Sequence, residues 1–245
     1  MEPVLTNSHL NHVLNLLDEL KFRDKSFRAL QFTAKLTAWY LYTRGESLDK
    51  VKRWKSIESQ LSFARNFFTV GKVFLNLKSS VVKGSELHKS SKTEINVLTA
   101  LEFFKEIANT GQNAAELRLW LNKTQILPLS DSKGYSNASD IFGLFSSMIS
   151  ATADAFVYYT SSKDLKIIRS GEYSEKGSKE ESLKKVLALR EKSVFDFVED
   201  TLDCISPMNS LGLIHVDDHV IGLAGLVTSF MELYALWNKT KILSH

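Results

Sequence analysis

Wound at about 100° per residue, positions 57–78 separate into two faces, and that separation constrains the chain more than any other feature. Ile57, Leu61, Ala64, Phe68, Gly71 and Leu75 fall close to one line, with Phe63, Phe67, Val70 and Phe74 on the adjoining arc. Glu58, Ser62, Arg65, Asn66, Thr69, Lys72 and Asn76 take the opposite side, and Val73 is the one apolar intruder. A helix of this length spans roughly 33 Å. Only three prolines and eleven glycines occur in 245 residues, so few breakers stand in the way of long helices. With 44% hydrophobic and 24% charged residues, the composition is that of a folded chain, not a disordered one.

The same periodicity extends to both sides. Residues 9–20 carry Leu10, Val13, Leu14, Leu17 and Leu20 on one stripe behind a candidate cap at Asn7 or Ser8. Residues 24–42 line up Phe27, Leu30, Ala34 and Leu41, and Arg44-Gly45 supplies a stop with glycine just past the helix end. A long helix or two in series is expected over 47–78, then another over 95–121 with Gly111 as a candidate interruption. Residues 124–139, with Pro128, Gly134 and several Ser and Asn, read as a loop. Segment 141–159 is apolar with Asp154 as its one charge, and 161–179 is polar enough for a linker. A charged amphipathic helix follows over 181–204, then an apolar stretch over 220–237 with a lone Glu232. Four regions result: an amphipathic helical region (1–125), a loop and apolar helix (126–160), a polar linker (161–180) and C-terminal amphipathic and hydrophobic helices (181–245). The fold class is all-α, a membrane-associated helical bundle with one or two hydrophobic helices in its C-terminal half.

Net charge is +3, but residues 50–92 hold ten basic side chains against two acidic ones, a local +8 that leaves −5 for the rest. A basic excess beside apolar periodicity suits an anionic surface. No helix-turn-helix, zinc-finger or RNP-like pattern appears, so nucleic acid is not an expected partner. A basic face opposite Phe and Leu is the composition of a helix lying among lipid headgroups. On that reading Ile57, Leu61, Phe63, Phe67, Phe68 and Phe74 insert into the membrane, while Arg65 and Lys72 meet headgroup phosphates. The competing reading is that the aromatic stripe packs the core of a helical bundle. Both apolar stretches are marginally short for a span of about twenty residues. In the second, Gly222, Gly225 and Ser229 share one face, which permits close helix packing.

Catalysis finds no support. No phosphate loop, nucleophile elbow or paired catalytic carboxylates appear, and no cofactor is implied. His215 and His219 are spaced for metal binding on a helix but fall in a short connector without a third ligand, so a polar turn is expected there. His9 and His12 lie on a polar flank. Cys204, the single cysteine, excludes an internal disulfide and is expected in packing, not as a reactive thiol. The first twenty residues show no apolar run of the secretory-leader kind.

Four pieces in order carry a family resemblance. Asp24-Lys25-Ser26-Phe27-Arg28-Ala29-Leu30-Gln31-Phe32-Thr33-Ala34-Lys35-Leu36 is similar to the D-K-x-x-R-x-L-Q-Y-x-A-R helix of the peroxin-11 family. Ala64-Arg65-Asn66-Phe67-Phe68 centres a segment resembling that family's amphipathic helix, with Asn66 and Thr69 standing where its pattern has Lys and Arg. Ile141-Phe142-Gly143-Leu144-Phe145 resembles the start of its mid-chain apolar segment. Asp203, Leu211-Gly212 and Val220-Ile221-Gly222-Leu223-Ala224-Gly225-Leu226-Val227-Thr228-Ser229, followed by Trp237, resemble its C-terminal stretch. The resemblance implies a peroxisomal membrane protein that elongates the organelle before fission, self-associates and helps recruit the division machinery. The alternatives are a pore for small metabolites, with Asp154 and Glu232 facing water, and a soluble helical adaptor.

Overall fold

The computed structural model describes Leu16 and residues 19–90, 97–170 and 179–243. Its elements are α1 (Leu20–Thr43), α2 (Leu48–Ser90), α3 (Val97–Lys123), α4 (Ser132–Ser170), α5 (Lys179–Asp203), the short α6 (Ile205–Ser210) and α7 (Asp218–Leu243). No strand occurs among the described residues. The fold is all-α, as the periodicity predicts.

Local chemistry sets the boundaries. At the end of α1, Gly45 adopts φ +71° while Glu46 N donates to Leu41 O and Gly45 N to Tyr42 O. That paired closure needs a left-handed residue, which glycine supplies without a Cβ penalty. Gly212 closes the turn after α6 in the same way, with Leu213 N donating to Met208 O. At the start of α4, Gly134 N donates to Asp131 Oδ1 over 2.8 Å, so Asp131 caps the helix. The expected 124–139 loop is therefore shorter, its second half belonging to α4. That helix also runs through the first half of the expected linker, because Ser161, Leu165 and Ile168 form a buried stripe at helical spacing. Residues 171–178 and most of the expected 9–20 helix lie outside the described residues. Gly111 does not interrupt α3.

Consecutive long helices pack on one another, α1 on α2, α2 on α3, α3 on α4 and α4 on α5. Helix α7 returns to lie along α1 and makes smaller contacts with α5 and α6. At about 1.5 Å per residue, the 43 residues of α2 extend roughly 65 Å. Helices α4 and α7 are long and apolar enough to cross a membrane by length and composition.

The packing between helices is unusually polar. Asp24, Thr69, Ser80, Ser139, Ser146, Ser150, Ser161, Ser193, Thr228 and Ser229 are buried, and much of the buried apolar set is alanine. Ser146 Oγ meets Asn109 Oδ1 at 2.6 Å across α3 and α4. Large apolar side chains are turned outward instead, including Phe67, Phe74, Phe104, Phe145, Phe230 and Tyr234. Small and hydroxyl residues inside with aromatics outside is the reverse of a water-soluble bundle and suits helices bathed in hydrocarbon.

Candidate functional site

Helix α2 presents the site. Its N-terminus follows Ser47, whose carbonyl accepts from the amides of Lys50 and Val51. Of the expected membrane-facing residues, Ile57, Phe63, Phe67 and Phe74 are exposed, Phe67 at 61% and Phe74 at 68%. Leu61 and Phe68 are half-buried, and Phe68 packs edge-on against Phe27 of α1 with ring centroids 5.8 Å apart. Leu75 and Leu77 extend the exposed face. Trp120 of α3 joins it, 6.2 Å from the Phe63 ring and 6.0 Å from the Phe67 ring. Nothing local in the sequence connects Trp120 to α2.

The polar face of α2 is turned inward. Lys72 Nζ lies 2.7 Å from Asp24 Oδ2, and Arg65 Nε lies 3.2 Å from Asp24 Oδ1. Arg65 Nη1 also donates to Gln31 Oε1 at 2.8 Å. Farther along, Thr69 Oγ1 donates to Glu116 of α3, and Glu58 pairs with Lys35 of α1 at 3.8 Å. Asp24 is only 1% exposed. Burial pushes its carboxyl up, but Arg65 and Lys72 more than offset this and hold it lowered to about 2. Projection separates the two faces; the structure decides which one is covered. Arg65 and Lys72, read as headgroup contacts, are here held by an acid on α1.

A second charged knot joins α1, α5 and α7. Arg28 donates to Asp203 through both Nη atoms, 3.2 Å for Nη1 to Oδ2, and to Glu232 Oε2 at 3.3 Å. Lys25 pairs with the same Glu232. Glu232 is thus engaged by two cations of α1. Nearby, burial and Glu232 raise Glu199 to about 8, and burial, against the pull of Lys105 and with the help of Asp154, raises Asp200 to about 7. Both carboxyls keep their proton in the fold at pH values where the unfolded chain has lost it. Their stabilising contribution is complete below about pH 4 and falls as pH rises through about 7 to 8. Glu199→Gln with Asp200→Asn is expected to raise the unfolding midpoint at pH 8 by roughly 2–6 °C and to leave it nearly unchanged at pH 4.5. Circular dichroism melts of the full chain in detergent at the two pH values check this.

The small face of α7 meets α1. A Cβ built on Gly225 would come within 2.2 Å of the Phe32 ring, and one on Gly222 within 2.8 Å of Leu36. Ser229 Oγ donates to Gly225 O, and both Thr228 and Ser229 are wholly buried. Asp154 borders a cavity of about 280 Å³ between α3, α4 and α5, lined also by Leu101, Lys105, Ser150 and Leu189. His219 lies beside Trp39, ring centroids 4.6 Å apart. Among the described residues no group of three His, Cys, Asp or Glu is placed to hold a metal. Cys204 is half-buried, and burial raises its thiol, which suits packing.

Comparison with known proteins gives the family. The family model described as Peroxisomal biogenesis factor 11 (PEX11) matches residues 10–237. A Schizosaccharomyces pombe protein named Peroxisomal biogenesis factor 11 is 34% identical over 237 residues, covering 97% of this chain and 98% of that protein. Two Candida boidinii relatives, Peroxisomal membrane proteins PMP30B and PMP30A, are 24% and 23% identical, each over 98% of this chain and 96% of its own length. No solved structure matches the chain. The relatives' names fit the outward-facing apolar surface and place the chain at the peroxisomal membrane. The chain belongs to the peroxisomal biogenesis factor 11 family, a family of biogenesis factors and not of enzymes.

Proposed function

We propose that this protein elongates and tubulates the peroxisomal membrane ahead of division, by inserting the aromatic face of α2 into one leaflet. The observation that carries this reading is the outward display of Ile57, Phe63, Phe67 and Phe74 on a helix whose polar side is engaged by its own bundle. Each buried Phe contributes about 1.5–3 kcal/mol of transfer free energy. Side chains wedged into one leaflet expand it relative to the other, and the bilayer curves to relieve the mismatch. Exposed Lys52, Arg53 and Lys55 at the start of α2 meet anionic headgroups, each for about 1 kcal/mol. Self-association raises the local density of wedges, and a curved tubule gives the organelle division machinery its substrate.

The test is electron microscopy of anionic liposomes mixed with the full chain. Wild type is expected to draw tubules, and Phe67→Ser with Phe74→Ser to lower membrane partitioning roughly a hundredfold and abolish them. Unchanged tubulation by that variant overturns the reading. A pore for small metabolites is the second reading, supported by the half-buried Asp154 beside its cavity. It requires release of a small dye from intact vesicles, which wedging alone does not.

A further inference from the structure

We propose that the Arg65–Lys72 face of α2 is a masked phosphate-binding surface, occupied in the closed bundle by the Asp24 carboxylate and taken by the headgroups of phospholipids with a net negative charge when α1 moves aside. The inference rests on the membrane-inserting reading of α2 and assigns that helix a ligand and a control. Lys72 approaches one carboxylate oxygen of Asp24 and Arg65 the other, at 2.7 and 3.2 Å, while Gln31 orients a second guanidinium nitrogen at 2.8 Å. Two cations converging on one anionic group, with a polar side chain fixing the fork, is how a phosphate is held. Here the group in the cradle is a carboxylate from the same chain.

Accessibility is divided unevenly. The Asp24 side chain is 2% exposed, whereas those of Arg65 and Lys72 are 24% and 29% exposed. Incoming phosphates therefore meet the cations at the rim before the acid is uncovered, and exchange proceeds by replacement without first baring a charge. One anion against two cations leaves the cradle a net positive charge, which draws it to an anionic membrane. Lys25 and Arg28 on α1 bond Glu232 and Asp203, while Arg65 and Lys72 bond the Asp24 carboxylate. The apolar face needs no opening to touch lipid. Deep seating of α2 does, because Arg65 and Lys72 reach the headgroup layer only after α1 has left their side of the helix. Asp24 thus couples wedge depth to the charge of the membrane.

Pulsed electron paramagnetic resonance on the full chain tests this, with spin labels at Lys21→Cys on α1 and Lys78→Cys on α2 in a Cys204→Ser background. The α1–α2 distance is expected to lengthen on vesicles containing phosphatidylserine, to stay fixed on pure phosphatidylcholine vesicles, and to stay fixed in inorganic phosphate. Asp24→Asn is expected to lower the lipid concentration for half-maximal lengthening about fivefold, and Arg65→Gln with Lys72→Gln to remove the lipid-charge dependence. A distance that never changes overturns the proposal, as does equal lengthening on neutral vesicles. Lengthening in inorganic phosphate alone overturns the lipid as ligand. The labelled wild type decides these outcomes even if a variant fails to fold. Vesicle deformation scored in the same samples separates the two readings: tubules without lengthening sink the mask and keep the wedge, and lengthening without tubules does the reverse.

Discussion

Arg28→Met is expected to destabilise the bundle by about 3–5 kcal/mol, the cost of leaving buried charges without their partner. Arg28 bonds both Asp203 at the end of α5 and Glu232 within α7. Through it, the first long helix holds the last two. Removing the guanidinium leaves Lys25 on Glu232 but takes the bonds from Asp203, whose carboxyl is held below its usual range against burial by Arg28. The cost comes from stranding acids more than from losing a favourable pair, so Arg28→Met combined with Asp203→Asn is expected to recover much of it. Thermal unfolding of the three proteins in one detergent measures both effects. Equal destabilisation by the single and double variants would show that Arg28 acts through packing alone.

Gly225→Leu is expected to cost about 3 kcal/mol or more by driving α7 off α1. Even a methyl group at this position comes within 2.2 Å of the Phe32 ring, so a branched side chain forces the ring and α7 apart. Phe32→Ala opens the space that the introduced leucine needs. The double-mutant cycle between positions 225 and 32 should therefore show strong positive coupling. Additive costs would place the glycine's role elsewhere than at the α1–α7 contact.

The helices themselves were legible because a 3.6-residue period and scarce breakers leave few other structures available. The stop at Arg44-Gly45 rests on local backbone chemistry, and the small face of Gly222, Gly225 and Ser229 shows in the sequence, although its partners Phe32 and Leu36 on α1 do not. Boundaries of α4 were harder. Gly134 and the surrounding Ser and Asn residues suggest a loop, yet Asp131 three residues ahead is a cap, and that spacing was available to be read. The polar stretch after Tyr159 hid the Ser161, Leu165 and Ile168 stripe because serine serves as a buried packing residue here. Projection of 57–78 gives two faces but cannot say which is covered. Ile57, Phe63, Phe67 and Phe74 stay outside while Phe68 packs on α1, and Asp24, which draws in the polar face, lies 41 residues from Arg65. Glu232 was misleading for the same reason: its cations sit more than two hundred residues away on α1. Trp120 joins the Phe63 and Phe67 cluster through tertiary packing alone.

The most direct measurement of the central claim is the depth of position 67 in a membrane. A nitrobenzoxadiazole label at Phe67→Cys, in the Cys204→Ser full chain bound to anionic vesicles, reports it through quenching by spin labels placed along the lipid acyl chains. Insertion of the α2 aromatic face predicts a blue-shifted emission quenched by acyl-chain labels and protected from aqueous iodide. Emission that stays water-like and iodide-accessible on membrane-bound protein would contradict it, and would make the outward phenylalanines of α2 a protein-binding surface.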